Sequence, residues 1–232
     1  MRARSGMLSG LVHPQKSVRS GPVPRMAPAE RKAMILARAT DFFAEYGLTA
    51  QTRALADACG VAQRLLYRYF PSKAALLREV YEAAIVAPFK AVWLVRLKDR
   101  SQPFERRLME FYGSYYEAVL TRKWLRLFLY ASLAEARMAP DYIQAIIIEM
   151  LETILAEAAH DQRVDLPRDS ALRHEIAWVL HGAVSHFAIR RHLYAASQAV
   201  PEERVLALHV RSFLAGFAAT VAEARTFEAV HR

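Results

Sequence analysis

Residues 49–77 read TAQTRALADACGVAQRLLYRYFPSKAALL, and their punctuation decides the fold. A short polar link, Thr49-Ala50-Gln51, precedes a helical stretch from about Thr52 to Cys59, with Thr49 as the candidate N-cap. Gly60 follows, where a tight turn can need positive φ. A second short helix is expected from about Gln63 to Phe70. Pro71 ends it, and Ser72 can cap the next helix, although Ala75 stands where Glu or Gln would complete a capping box. Two short helices joined by a glycine turn, with a longer helix behind, form a helix-turn-helix pattern.

Upstream, Ile35, Ala39, Phe42, Phe43 and Tyr46 share one helical face until Gly47 stops the helix. Downstream, the helix opening at Ser72 should bend or break near Pro88. Further helices are expected near 103–120, 122–136, 141–160, 169–196 and 201–227. In 141–160, Ile143, Ile146, Ile147, Met150, Leu151, Ile154 and Leu155 make one apolar stripe. No strand signal or internal repeat stands out, so the fold class is all-α.

The second short helix suits a DNA major groove, which is about 12 Å wide and admits one helix. Gln63 and Arg64, at its N-terminus, have the chemistry to pair with adenine and guanine edges. Tyr67, Arg68 and Tyr69 follow, and Lys73 opens the next helix, where it can clamp a phosphate. Phe43, Leu55, Val61, Leu66 and Phe70 read as core instead. Tyr67 can split its role, ring packed and hydroxyl on phosphate, and Arg68 can be a solvated charge only.

The run Leu65-Leu66-Tyr67-Arg68-Tyr69-Phe70-Pro71-Ser72-Lys73, followed by Leu76-Leu77, resembles the signature of the TetR (tetracycline repressor) family of regulators. Phe43-Ala44-Glu45-Tyr46-Gly47, Leu55-Ala56 and Cys59-Gly60-Val61 match upstream, so the resemblance covers roughly Ile35 to Leu77. Leu65 stands where the family often has a phosphate-binding Thr or Ser, and the loop after Gly47 is one residue short. The resemblance implies a ligand-responsive regulator, most simply a repressor, with Thr49, Gln51 and Arg53 joining the DNA contacts. It also implies that the helix opening at Ser72 relays effector binding to the DNA-reading helices.

The expected organisation is a disordered basic tail over 1–28, a DNA-binding unit over 29–76, and a helical effector-binding and dimerisation unit over 77–232. The tail carries Arg2, Arg4, Lys16, Arg19 and Arg25 before the first acid, Glu30. It reads either as a basic arm on DNA or as an unstructured extension ahead of Met26. The net charge of +9 suits a polyanion, nucleic acid or an acidic membrane surface. One cysteine, Cys59, excludes an intramolecular disulfide framework and suits a cytoplasmic location. No apolar run approaches the length needed to cross a bilayer, so no membrane partner is expected.

Two stripes suggest a homodimer built from the last two helices: Leu172, Ile176, Val179, Leu180, Ala183, Val184 and Phe187, then Leu206, Val210, Phe213, Phe217 and Val221. The alternative is that they face the chain's own core. Trp93, Phe111, Tyr115, Trp124 and Phe128 are the candidate contacts for a small hydrophobic effector, against the alternative of plain core packing. Arg96, Lys98, Arg106 and Arg107 could serve an anionic head group or be solvated surface. His174, His181, His186 and His192 lack tight ligand spacing, so no metal or other cofactor is expected. No phosphate loop, nucleophile elbow or zinc-protease motif appears, which argues against an enzyme. The competing reading is a non-specific DNA-binding or nucleoid-type protein without a ligand.

Overall fold

The computed structural model describes residues 26–134, 138–194 and 199–231; the basic tail lies outside them. All described elements are helical. Helix α1 (Pro28–Tyr46) starts with proline at its first position, where no N–H is needed. The Ala27 N–H donates to the Glu30 carboxylate at 3.0 Å, and Gly47, at φ 83°, ends the helix. Helices α2 (Thr52–Ala58) and α3 (Gln63–Tyr69) flank Gly60, at φ 65°. A Cβ on Gly60 would meet the Arg38 guanidinium at 3.0 Å, so only glycine fits this turn without strain. Thr49 is not the cap: Gln51 holds that position in α2, with no side-chain cap, because the helix starts two residues later than a Thr49 cap requires. Ser72 does cap α4 (Lys73–Tyr81), its hydroxyl accepting the Ala75 N–H at 3.1 Å.

Beyond α4 the helix widens into a π-turn over Glu82–Val86 and breaks at Pro88. A short helix absent from the sequence expectation follows, α5 (Val92–Lys98). Then come α6 (Phe104–Ala118) and α7 (Arg122–Leu133), the latter capped by Thr121. The expected helix near 141–160 is assembled from α8 (Met138–Tyr142), a π-turn (Ile143–Ile147) and α9 (Ile148–Gln162). Two long helices close the chain, α10 (Ser170–His192) and α11 (Glu202–Val230).

Ile35, Ala39, Phe43, Leu55, Leu66, Phe70 and Leu76 pack α1–α4 around one buried centre. The remaining helices wrap a second region of the core around Leu108, Tyr112, Leu151 and Leu155. A buried ion cluster pins α6 to α9. Glu157 accepts from Arg100 at 2.9 and 3.1 Å and from Arg107 at 2.9 Å. Arg107 also donates to the Leu97 and Gln102 carbonyls, so its Nε and Nη1 are committed within the protein. Burial pushes the Glu157 carboxyl up, but the hydrogen bonds and charges of the two arginines outweigh this and hold it below the usual range.

Most of the proposed dimer stripes face inward, with Val179 the exposed exception. On α11, Leu206, Val210, Phe213, Phe217 and Val221 are all buried in the protomer's own core, as are Ile176, Leu180, Val184 and Phe187 on α10. Helix α11 is also long and apolar enough to cross a bilayer by length and composition, which His209 and Arg211 hid from a search for uninterrupted runs. Its buried stripe is seated against α6, α9 and α10. Only 28% of its most apolar stretch is buried within the protomer, which leaves an outer face that is apolar and open.

Candidate nucleic-acid interface and aromatic core

The first site is on the surface. Helix α3 buries Leu66 and lays Phe70 beneath the next turn, which turns Gln63, Arg64, Tyr67 and Arg68 outward. Thr49, Gln51 and Arg53 are exposed beside them. Tyr69 is half-buried, with the Arg68 guanidinium over its ring at 5.5 Å. Leu65 is also half-buried and brings no hydroxyl to this face. From Gly47 to Arg78 the chain carries five basic residues against one acid, Asp57. This makes a positive field along α2, α3 and the start of α4. Lys73 sits inside the surface rather than on it. Its ammonium donates to the Ala50 carbonyl at 2.8 Å and lies 6.0 Å from the Phe43 ring, tying α4 to the loop before α2. It has donors to spare for a phosphate, but it is a staple as well as a cation.

A groove of about 790 Å³ lies on this same side, between Met26, Ala27, Arg31, Arg64 and Arg68. Guanidinium groups and open walls suit a polyanion better than an apolar ligand. The groove also sets the first described residue next to α3. Cys59 is core, as expected: its thiol faces the Ile35 carbonyl, and burial pushes its pKa up against the opposing charge of Arg38.

The second site is internal. The five aromatic residues singled out from sequence fall into two stacks. Phe111 stacks on Tyr115 (5.9 Å between ring centres), and Trp93 meets both edge-on at 6.5 Å. Trp124 stacks on Phe128 at 4.7 Å. Tyr142, which sequence did not single out, joins them. Its ring lies 5.4 Å from Trp124 and 5.9 Å from Phe128, and its hydroxyl neighbours that of Tyr115. Tyr112 and His181 complete the cluster, with His181 5.6 Å from Tyr115 and 5.1 Å from Trp178. In sequence, His181 reads only as one of four histidines for a metal site, and its place beside the buried Leu180 is the signal that could have found it. His174 instead pairs with Glu152 at 2.9 Å, and no metal-ligating cluster exists among the described residues.

Helix α7 joins the two sites. Its inner face carries Trp124, whose indole N–H donates to the Ile85 carbonyl at 3.1 Å inside the π-turn after α4. Its outer face grips the end of α1. Arg126 donates to the Ala44 and Glu45 carbonyls, two acceptors that a helix C-terminus leaves unpaired, while Arg122 and Lys123 reach Glu45 and Asp41. Tyr130 closes the junction against Gly47. A groove of about 410 Å³ runs between α1, the π-turn and α7, with Trp124 in its wall.

Residues 35–80 match the family model described as bacterial regulatory proteins, tetR family. The chain is similar in structure to a TetR-like transcriptional regulator from Rhodococcus sp. RHA1. That match has 19% identity and a TM-score of 0.63, and covers 84% of this chain and 99% of that one. It is also similar to a TetR-family transcriptional regulator from Streptomyces coelicolor, at 19% identity and a TM-score of 0.57, covering 85% of each. No protein of curated function matches the chain. A three-helix reading head with an exposed, basic α3 on a helical body defines a helix-turn-helix DNA-binding protein. The reading head, over residues 35–80, is similar to that of the tetR-family bacterial regulatory proteins, and the chain shares the fold of the TetR-like regulators above.

Proposed function

We propose that this regulator works in the cytoplasm as a homodimeric repressor on a palindromic operator and leaves it when a small molecule enters the aromatic core. The observation that carries the reading is α3, whose Gln63, Arg64, Tyr67 and Arg68 point to solvent while Leu66 anchors the helix in the core. Gln63 and Arg64 read base edges. Thr49, Gln51, Arg53, Tyr67, Arg68, Tyr69 and Lys73 hold the backbone. One such helix reads few base pairs, so a two-fold pair on two half-sites is the geometric solution.

The outer face of α10 and α11 supports the dimer. Val179 and Leu208 are more than half exposed, and Ala215, Gly216, Ala218, Ala219 and Ala222 leave α11 a small-residue surface that a second helix pair can approach closely. Residues 77–232 then act as the effector and dimerisation unit. A ligand that moves Trp124 breaks its bond to the end of α4 and shifts α7, which is fastened to α1. By linkage, the ligand lowers operator affinity by the factor that operator lowers ligand affinity.

Selecting binding sites from random DNA tests this reading. An inverted repeat with half-sites about 10 bp apart, or a multiple of it, is the expected result, together with a dimeric mass by light scattering. Sites without symmetry, a monomer at micromolar concentration, or equal affinity for all sequences would overturn it, the last in favour of charge-driven compaction.

A further inference from the structure

Among the described residues, six polar side-chain atoms in the helical body are buried without a hydrogen-bond partner: the hydroxyls of Tyr112, Tyr115, Tyr116 and Tyr142, Nδ1 of His181, and Nε2 of His209, which lies apart against Phe187. Tyr116 lies apart, against Phe187 and His192. The other four share the aromatic cluster, and Tyr112, Tyr115 and Tyr142 are completely shielded from solvent. The hydroxyls of Tyr115 and Tyr142 are near enough to influence each other but do not reach hydrogen-bond geometry. Even a bond between them would leave one phenol proton unused. Each such group costs stability while it stays unpaired, and phenylalanine would fill the same volume without that cost. Several of them converging in one place is the mark of a site kept for something that pairs with them.

We infer that the effector is an uncharged, flat molecule bearing oxygen acceptors, of the aromatic ketone, quinone or phenol class, held by Tyr112, Tyr115, Tyr142 and His181. The inference rests on the effector-responsive reading above and names its ligand. It narrows the small hydrophobic effector expected from sequence. Three phenols supply protons to acceptor oxygens, and His181 supplies a ring nitrogen. The flat walls are Phe111, Trp124 and Phe128. Charge on the ligand is excluded by the surroundings. Burial keeps the phenols protonated and the imidazole neutral, and the buried Arg107 of α6 already has its charge balanced by Glu157. Access is from the side of α5, where a crevice of about 40 Å³ opens between α5 and α6. Trp93 and Phe111 separate it from Tyr115, so the half-buried Trp93 must swing for a ligand to pass.

Titration calorimetry on the intact protein, with three probes of matched shape, tests the class: 2-acetylnaphthalene, naphthalene and 2-naphthoate. The ketone should bind about tenfold or more tighter than the other two, the effect of one added acceptor hydrogen bond or one avoided buried charge. Tyr115→Phe and Tyr142→Phe should erase the preference of ketone over naphthalene without weakening naphthalene. Neither variant should melt below the parent, since a hydroxyl without a partner contributes no stability. Equal or tighter binding of naphthalene or 2-naphthoate, no binding of any probe, or an unchanged preference in both variants would overturn the inference. So would lower melting temperatures in both, because the hydroxyls would then serve the fold. Operator release is read separately: a ketone that binds yet leaves DNA bound supports the ligand class and defeats the effector reading.

Discussion

The reading head and the aromatic body both keep polar groups that the protein itself does not pair, and they do so at opposite cost. On α3, Gln63, Arg64 and Arg68 stand in water, where solvation is free and binding DNA only exchanges partners. Inside the body, Tyr112, Tyr115 and Tyr142 hold hydroxyls where nothing solvates them. The difference is that a surface site can be read without touching stability, whereas an internal site is held at the expense of the fold. Substitutions in the two regions should separate accordingly.

The largest effect is expected at the ion cluster that braces the body. Glu157→Ala leaves Arg107 buried without its counter-charge and should cost about 3–5 kcal/mol in chemical denaturation. A loss below 1 kcal/mol would mean that water reaches this cluster and that the body is less dry than the comparison requires.

Next is pH. Burial pushes His181 down to about 4 from an ordinary 6.5, so the native state refuses a proton that the unfolded chain accepts. Stability is therefore highest above pH 6.5 and falls as pH drops toward 4, by at most about 3 kcal/mol from this group. Glu157, held below the usual carboxylate range, adds its own loss only at still lower pH. His181→Leu should flatten the first decline in urea melts taken between pH 7 and 4.5. An unchanged slope would show that His181 takes up the proton in the folded protein.

The reading head should behave in the reverse way. Arg64→Ala is expected to leave the melting temperature unchanged and to cost about 1–3 kcal/mol at particular operator positions. Equal weakening on random DNA would reassign it to phosphate. Lys73→Ala should lower affinity for all sequences and flatten the salt dependence by about one unit. Because its ammonium holds Ala50, it should also lower stability slightly, which would make it the one reading-head variant that behaves like a residue of the body.

The smallest effect concerns residues 1–25. Removing them should reduce the salt slope if the tail follows DNA from its origin beside Arg64 and Arg68, and leave affinity and slope unchanged if it is a bare extension. Fluorescence anisotropy of labelled operator across a salt series distinguishes the two.

What sequence disclosed follows the same division. Gly47, Gly60, Pro71 and Ser72 act within a few residues of themselves, so the boundaries of α1, α3 and α4 were legible and only the cap of α2 was misplaced. The exposed polar residues of α3 alternate with its buried ones, so the DNA face could be read as a pattern. The aromatic core could be read only in part. Phe111 with Tyr115 and Trp124 with Phe128 are one turn apart, but Tyr142 and His181 reach them across the fold. The α5 helix is too short to show a period. The stripes on α10 and α11 misled because α11 is apolar on both sides: large residues face its own core and small ones face out. Amphipathic pattern cannot rank two apolar faces, whereas side-chain size could have.

The chain has three tryptophans, Trp93, Trp124 and Trp178, and all three belong to the aromatic body or touch it, while the reading head has none. The protein therefore carries an optical label confined to one of its two regions. Its near-ultraviolet emission should be silent to DNA docking as such, yet respond to whatever enters the core, to loss of the Trp124–Ile85 hydrogen bond, and to protonation of the imidazole beside Trp178. A change in emission colour on adding operator alone would then be a direct view of the message passing backwards, from the DNA to the pocket.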